Sequence, residues 1–250
     1  MTVVFLPPIG NDAGSWESVS AAAGAVKHQF PGFGRPRAPS QPTMASLADE
    51  VAASYGPPLD LIGVSMGGMV GQHVALRHPE VVRSLLVACT GAATDPEVMR
   101  ARAQAAEEGG MAAVLEETLA RWFTARARAQ RPEHPGVRYA RRTLLALDPR
   151  CFADGWRALA GHDVRARLGE LALPVTVLAG SADAASPLAR AQELAGGVRN
   201  GRLVVIDGAP HMVHLECPER FSEAVRNHLR WVRELAPGGR EGEAAESGRR

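Results

Sequence analysis

Short apolar runs alternate along the chain with longer segments whose apolar residues recur at helical spacing. The runs predict buried strands, which cover residues 2–6, 26–30, 59–63, 81–89, 174–179 and 202–206. The longer segments predict helices, which cover residues 17–24, 44–55, 66–77, 164–171, 188–195 and 218–235. This order predicts right-handed crossovers and an α/β fold, with a mainly parallel sheet of about six strands covered by helices on both faces.

The alternation is interrupted between residues 90 and 162, where no strand is predicted and Ala, Arg, Glu and Leu recur at helical spacing. Gly and Pro turn signals divide this segment into about four helices. We therefore expect a core of residues 1–89 and 163–236, with residues 90–162 inserted as a helical cap over the carboxyl ends of the strands. Residues 237–250 should form a disordered tail, since only Gly, Ala, Ser and charged residues follow Pro237.

Ser65 lies in the pattern G-x-S-x-G, formed by Gly63-Val64-Ser65-Met66-Gly67, directly between a predicted strand and a predicted helix. In this position the pattern is typical of a nucleophile elbow, a turn so sharp that side chains two residues before and after the serine must be very small. A Gly-rich turn without chemistry would have the same letters. The flanking strand and helix favour the elbow, and Ser65 is the predicted nucleophile.

A serine hydroxyl reacts only when a base lies within hydrogen-bond reach and a third group holds that base. Asp183 follows the 174–179 strand and His211 follows the last strand, so loops at the same sheet edge can bring both to Ser65. Asp183 taken alone would also suit a turn or a helix cap, and His211 a buried structural position. Their order after Ser65, each just past a strand, favours a Ser-His-Asp triad.

Acyl transfer also needs donors for the tetrahedral oxyanion. We predict the backbone N–H of Met66, directly after the nucleophile, and that of Ile9, in the loop after the first strand. Apolar side chains of the 90–162 segment are candidates for a substrate pocket, although packing within the segment is the alternative for each. The predicted substrate-binding residues are Trp122, Phe123, Tyr139 and Trp156.

His211, His214 and Glu216 form the pattern H-x-x-H-x-E, which raises the possibility of a metal site. Paired metal-binding histidines usually share one helix face at a spacing of four residues. A three-residue step directly before Cys217-Pro218 does not provide that face, so we predict no metal. The sequence also lacks a Gly-rich phosphate loop, and we predict no cofactor.

The composition limits the kinds of partner that we expect for this protein. A net charge of +1 favours neither nucleic acid nor an anionic membrane, and no uninterrupted apolar run of about eighteen residues would span a bilayer. Three scattered cysteines and the absence of a basic flank before the first apolar run predict a reduced, cytoplasmic protein without a signal peptide. The expected partner is a small-molecule substrate, and the sequence does not distinguish a monomer from a homodimer.

These motifs resemble the α/β-hydrolase fold superfamily over nearly the whole chain except the insert and tail. Within it, Ile9-Gly10-Asn11-Asp12 ahead of Trp16, and the segment 156–163, are similar to oxoadipate enol-lactonases and their relatives. The resemblance implies Ser65, Asp183 and His211 as triad and Ile9 and Met66 as oxyanion donors. The chain departs from the pattern in having Pro8-Ile9-Gly10 in the first loop, where many relatives carry His-Gly, and in starting at the first parallel strand without the leading hairpin.

The predicted function is a cofactor-independent serine hydrolase that cleaves a small carboxylic ester or lactone through an acyl-enzyme. One alternative keeps the site but changes the reaction to carbon–carbon cleavage, cyclisation or a similar step of specialised metabolism. Another is a ligand-binding or signalling module of low turnover. Specificity in such folds lies in the site and its cap, so the substrate stays open at this level.

Overall fold

A computed structural model describes residues 1–22 and 24–235 of the chain. Within these residues, six parallel strands form one sheet in the order β2-β1-β3-β4-β5-β6. The strands are β1 (Thr2–Leu6), β2 (Val26–Lys27), β3 (Leu59–Val64), β4 (Val82–Ala88), β5 (Pro174–Gly180) and β6 (Asn200–Ile206). The predicted parallel α/β fold is confirmed, because each strand overlaps a predicted apolar run. The run at 26–30 is corrected in length, since β2 ends at Lys27 and residues 28–30 are not in a strand.

Helices cover both faces of this sheet. They are α1 (Met44–Ser54), α2 (Met66–Arg77), α3 (Pro96–Trp122), α4 (Ala125–Ala129), α5 (Pro135–Ala146), α6 (Pro149–Leu159), α7 (Leu188–Gly197), α8 (Val213–Glu216) and α9 (Pro218–Leu235). Alternate residues of a strand point to opposite faces. Leu61 and Val87 accordingly lie in a core with α1, α2 and α7, whereas Ile62 and Leu86 lie in a second core with α9. Continuously apolar strands are therefore buried on both sides.

The helices α3 to α6 are inserted between β4 and β5. The long helix α3 bends at Gly110, whose φ of 72° is non-helical and which belongs to one of the predicted turn signals. Where the insert begins and ends, the chain segments run side by side: the Val164 N–H donates to the Ala92 carbonyl over 2.8 Å, and Thr94 donates to His162 over 3.0 Å. The insert thus leaves and rejoins the sheet at one place, and the cap domain of residues 90–162 stays a prediction.

The predicted helix at residues 17–24 is wrong for the residues described there. A short 3-10 helix, Ala13–Trp16, precedes this segment, and Asp12 caps it by accepting from the Gly14 N–H. The backbone of Ser20 instead bonds to α9, since its N–H donates to the Ser222 hydroxyl and its carbonyl accepts from Arg226. Tertiary hydrogen bonds therefore replace the helical ones.

The predicted helix at residues 44–55 is confirmed as α1, which begins at a capping box. Thr43 accepts from the Ser46 N–H at 3.0 Å, and the Ser46 hydroxyl accepts from the Thr43 N–H at 2.9 Å. Within residues 1–22 and 24–235, no helix has the length and apolar character needed to cross a membrane. The predicted disordered tail, residues 237–250, lies outside the described residues.

Candidate active site

Ser65 occupies the turn between β3 and α2 in a backbone conformation that few residues other than glycine adopt, with φ of 50° and ψ of −115°. The turn is tight enough that a methyl group at Gly63 would overlap the Gly67 backbone, and one at Gly67 would overlap the Leu6 carbonyl. The apolar register of β3 and these close approaches hold the serine at the carboxyl edge of the sheet. This geometry is that of the predicted elbow.

Two loops from the same sheet edge bring His211 and Asp183 to Ser65, although the three residues are far apart in the chain. The Ser65 Oγ lies 3.0 Å from His211 Nε2. On the other side of the ring, His211 Nδ1 lies 2.9 Å and 3.0 Å from the two carboxylate oxygens of Asp183. All three side chains are buried. An imidazole protonated at Nδ1 donates to Asp183 and leaves Nε2 to accept the serine proton.

Several hydrogen-bond donors stabilise the ionised form of Asp183. One carboxylate oxygen accepts from the N–H groups of Ala185 and Ser186, each over 2.8 Å. Burial by itself raises the pKa of Asp183, but the electrostatic effect of the His211 ring and the hydrogen bonds from His211, Ser186 and Ala185 outweigh it and lower the pKa. A carboxylate fixed in this way can orient the ring and stabilise it when it becomes an imidazolium.

The two predicted oxyanion donors flank the serine. Met66 is the first residue of α2, so its N–H has no acceptor in a preceding helical turn. Ile9 lines the same cavity as Ser65, and its N–H has no acceptor among the described residues. The Asn11 side chain donates to the Ile9 carbonyl over 3.0 Å, which supports this loop where the sequence lacks the more common His-Gly.

The cavity above Ser65 is small, about 40 Å³. Of the four predicted substrate-binding residues, Trp122 and Trp156 line it. Phe123 and Tyr139 do not, which corrects the expectation for both. Phe123 is buried in the apolar core, and the Tyr139 hydroxyl donates to the Asp12 carboxylate over 2.8 Å, pointing the ring toward another part of the surface. The sequence alone could not show which of these aromatic side chains face the cavity, because the packing of the helices against one another decides their direction.

Three arginines also line the cavity, and sequence reasoning missed them. Arg102 and Arg121 come from α3, and Arg190 comes from α7. Because 27 of the 28 basic residues are arginines, Lys27 being the single lysine, no individual arginine stands out in the sequence. Their convergence on the nucleophile is a result of the tertiary structure alone.

A wider cleft of about 430 Å³ lies beside Tyr139, His134 and Glu216. It contains no serine, base and acid in hydrogen-bond contact, so its greater size does not make it the candidate site. The smaller cavity is preferred because Ser65 and His211 line it, and the His211 ring joins the Ser65 hydroxyl to the Asp183 carboxylate.

The H-x-x-H-x-E pattern does not converge on a metal geometry. His214 is fully buried, and neither of its ring nitrogens has a hydrogen-bond partner in the described part of the chain. Glu216 instead binds Thr124, accepting from its hydroxyl over 2.6 Å and from its N–H over 3.0 Å. Burial is the main cause that lowers the pKa of His214 to about 3, with His211 adding to the effect.

Comparison with known proteins identifies the family. A family model described as the alpha/beta hydrolase family matches residues 3–224. The chain is 32% identical over 170 residues to 3-oxoadipate enol-lactonase 2 of Acinetobacter baylyi, an alignment that covers 68% of this chain and 62% of that protein. It is 29% identical over 217 residues to a pimeloyl-[acyl-carrier protein] methyl ester esterase of Chromobacterium violaceum, covering 80% and 81% of the two chains.

Two solved structures are similar to the chain over most of its length. The enol-lactonase from Burkholderia xenovorans superposes with a TM-score of 0.84 at 26% identity, covering 91% of this chain and 90% of that one. A thermophilic esterase from Thermogutta terrifontis superposes with a TM-score of 0.83 at 26% identity, covering 93% and 90%. These four proteins are named for lactone or ester hydrolysis.

Proposed function

The chain belongs to the alpha/beta hydrolase family, and on that premise we propose that it is a serine hydrolase that cleaves a small carboxylic ester or lactone through a Ser-His-Asp triad. The observation that carries the proposal is the continuous hydrogen-bond chain from Ser65 through His211 to Asp183. The names of its relatives, which include enol-lactonases and methyl ester esterases, support this substrate class.

In the proposed reaction, the Ser65 oxygen attacks the carbonyl carbon while His211 Nε2 accepts the hydroxyl proton. The N–H groups of Ile9 and Met66 donate to the oxygen that becomes negative in the tetrahedral intermediate. When the carbon–oxygen bond breaks, His211 returns the proton to the leaving alkoxide, and the acyl group stays on Ser65. Asp183 keeps the ring oriented and stabilises its positive charge during both transfers.

Water completes the cycle. His211 accepts a proton from a water molecule as that water attacks the acyl-enzyme, and the same proton then returns to Ser65 Oγ as the acid product leaves. No cofactor takes part in these steps. In this proposal the 90–162 insert acts as a cap, since Trp122 and Trp156 form the roof of the small cavity over Ser65.

The first test is covalent labelling. Wild-type protein, Ser65→Ala and Ser186→Ala are treated with a fluorophosphonate probe, and intact masses are recorded. Ser186 is the matched control, because it borders the same cavity but is not hydrogen-bonded to the His211 ring, whose partners are Ser65 and Asp183. We expect one label on wild type and on Ser186→Ala, and none on Ser65→Ala.

Activity provides the quantitative test. Ser65→Ala should lower the turnover of an ester or lactone substrate by about a million-fold, because the acyl-enzyme cannot form. Products are identified at the same time, since ester cleavage yields an acid and an alcohol. Retention of a tenth of the activity, or a label that persists on Ser65→Ala, would contradict the proposed nucleophile.

A further inference from the structure

The cavity above Ser65 carries more positive charge than the proposed triad requires. Arg102, Arg121 and Arg190 line it together. Arg121 forms an ion pair with Glu117 on the same helix, but neither Arg102 nor Arg190 has a carboxylate partner among the described residues. Arg102 is half-buried, so its charge is only partly hydrated. A cation in this situation lacks the partner that buried charges normally have.

The cost of this arrangement is seen at Arg102. Burial, followed by the neighbouring charges of Arg121 and Arg190, lowers the pKa of Arg102 to about 10. The guanidinium therefore remains protonated at neutral pH but is less stable there than in water. An anion placed in the cavity would stabilise the Arg102 guanidinium, because it supplies the missing negative charge and accepts hydrogen bonds from the free N–H groups.

Trp156 provides a second unsatisfied donor in the same cavity wall. Its ring lies 4.9 Å from the Arg102 guanidinium carbon and 6.0 Å from that of Arg121, so that it holds both cations by cation–π contacts. Trp156 is 5% exposed, and its indole N–H has no acceptor in the described part of the chain. A buried donor without a partner is costly, and an oxygen atom of a ligand would satisfy it.

We propose that Arg102, Arg121 and Trp156, assisted by Arg190, form a subsite for a carboxylate located away from the scissile carbonyl of the substrate. The proposal rests on the proposed hydrolase function and narrows it to esters or lactones that carry a free acid group. A planar carboxylate matches the paired N–H groups of a guanidinium, and its two oxygens can accept from an arginine and from the Trp156 indole together.

Matched substrate pairs test the subsite. A series of 4-nitrophenyl monoesters of straight-chain dicarboxylic acids is compared with the methyl esters of the same compounds, which lack only the negative charge. We expect wild type to prefer the charged member by about tenfold to a hundredfold in kcat/KM at the best chain length, the range of one charge-assisted hydrogen bond. Arg102→Gln should reduce this preference ratio by about tenfold or more.

Arg100→Gln is the control, because Arg100 is an exposed arginine of the same helix that does not line the cavity. It should keep the wild-type preference ratio, and circular dichroism with thermal unfolding verifies that both variants are folded. Equal kcat/KM for charged and neutral esters in wild type, with Ser65-dependent turnover intact, would overturn the subsite and leave the hydrolase function standing.

If the hydrolase function fails instead, the binding of dicarboxylic acids tests the subsite separately. If no ester of either kind is hydrolysed, the same dicarboxylic acids are titrated into Ser65→Ala and Ser65→Ala/Arg102→Gln by calorimetry. Weaker binding to the double variant by about tenfold would support the subsite even though the proposed function had failed. Absence of binding, or equal binding to both, would overturn the subsite.

Discussion

At the scale of single residues, the backbone around Ser65 has almost no freedom. A non-glycine residue with φ of 50° and ψ of −115° lies outside the favoured regions and costs about 1–3 kcal/mol. The strain persists because β3 and α2 fix the chain on both sides of the turn. The close approach of Gly67 to the Leu6 carbonyl belongs to the same arrangement, since β1 neighbours β3 in the sheet.

Replacement of Gly67 by alanine should therefore be far more damaging than a methyl group normally is. We expect Gly67→Ala to lower the free energy of unfolding by about 3 kcal/mol or more, and to abolish fluorophosphonate labelling, because the elbow must shift to relieve the overlap. Urea unfolding and intact mass measure the two effects.

Gly196 supplies the matched comparison. It lies in α7 with open space around its Cα, so Gly196→Ala should raise the free energy of unfolding by about 0.5–1 kcal/mol and leave labelling unchanged. A Gly67→Ala protein as stable and as reactive as wild type would show that the tight turn is not required.

At the scale of elements, the loop that carries His211 is joined to the insert. The Met212 N–H donates to the Trp122 carbonyl over 3.0 Å, at the end of α3. Glu216 accepts from both the hydroxyl and the N–H of Thr124, the residue that caps α4. The base and a wall of the cavity are thus positioned by one set of hydrogen bonds.

Glu216→Ala should weaken the connection between the loop that carries His211 and the insert. We expect a loss of about 1–2 kcal/mol in the free energy of unfolding, because the Thr124 hydroxyl and N–H lose a charged acceptor in a half-buried position. Turnover should also fall, since Trp122 and the His211 loop become less well fixed. Stability is measured by urea unfolding and turnover with an ester substrate.

The control for this change is Glu223→Ala, which removes an exposed glutamate of the adjoining helix α9. It should alter the free energy of unfolding by less than about 0.5 kcal/mol. If the two variants were equally stable and active, the Glu216–Thr124 contact would have no role in positioning the loop.

At the scale of the whole molecule, the folded state excludes protons from several histidines. Burial is the largest cause that lowers the pKa of His28, His73, His162 and His228 to about 4, and that of His214 to about 3, from an ordinary value of 6.5. Between the ordinary and the lowered pKa, the unfolded chain binds more protons than the folded one. Stability therefore rises with pH in this window and is lost as the pH falls from about 6.5 toward 4.

We expect the free energy of unfolding to decrease by about 3 kcal/mol or more between pH 7 and pH 5, as measured by urea unfolding at fixed ionic strength. His214→Leu should show a smaller decrease over the same interval, because its apolar replacement has a similar volume and binds no proton in either state. Stability that is constant or increases on acidification would contradict the neutral, buried state of these histidines.

Much of the architecture was determined by the sequence. Apolar runs predict buried strands, and for that reason the six strands, their parallel direction and the helix α9 were predictable, whereas the order of the strands in the sheet was not. The elbow at Ser65 was predictable too, because a five-residue pattern between a strand and a helix is a local property. The positions of Asp183 and His211 after successive strands followed from the same logic, since the carboxyl ends of parallel strands meet at one edge.

Only the tertiary structure decided the rest. Whether Ser20 is helical, whether Tyr139 faces the cavity, and which arginines surround the nucleophile all depend on contacts between residues distant in the chain. A periodic pattern states which side of a helix is buried, but not which element it packs against or how far the helix is rotated. The proposed nucleophile could therefore be predicted from the local sequence around Ser65. The proposed carboxylate subsite could not, because it depends on how the helices of the 90–162 insert pack beside α7 and the Ser65 turn.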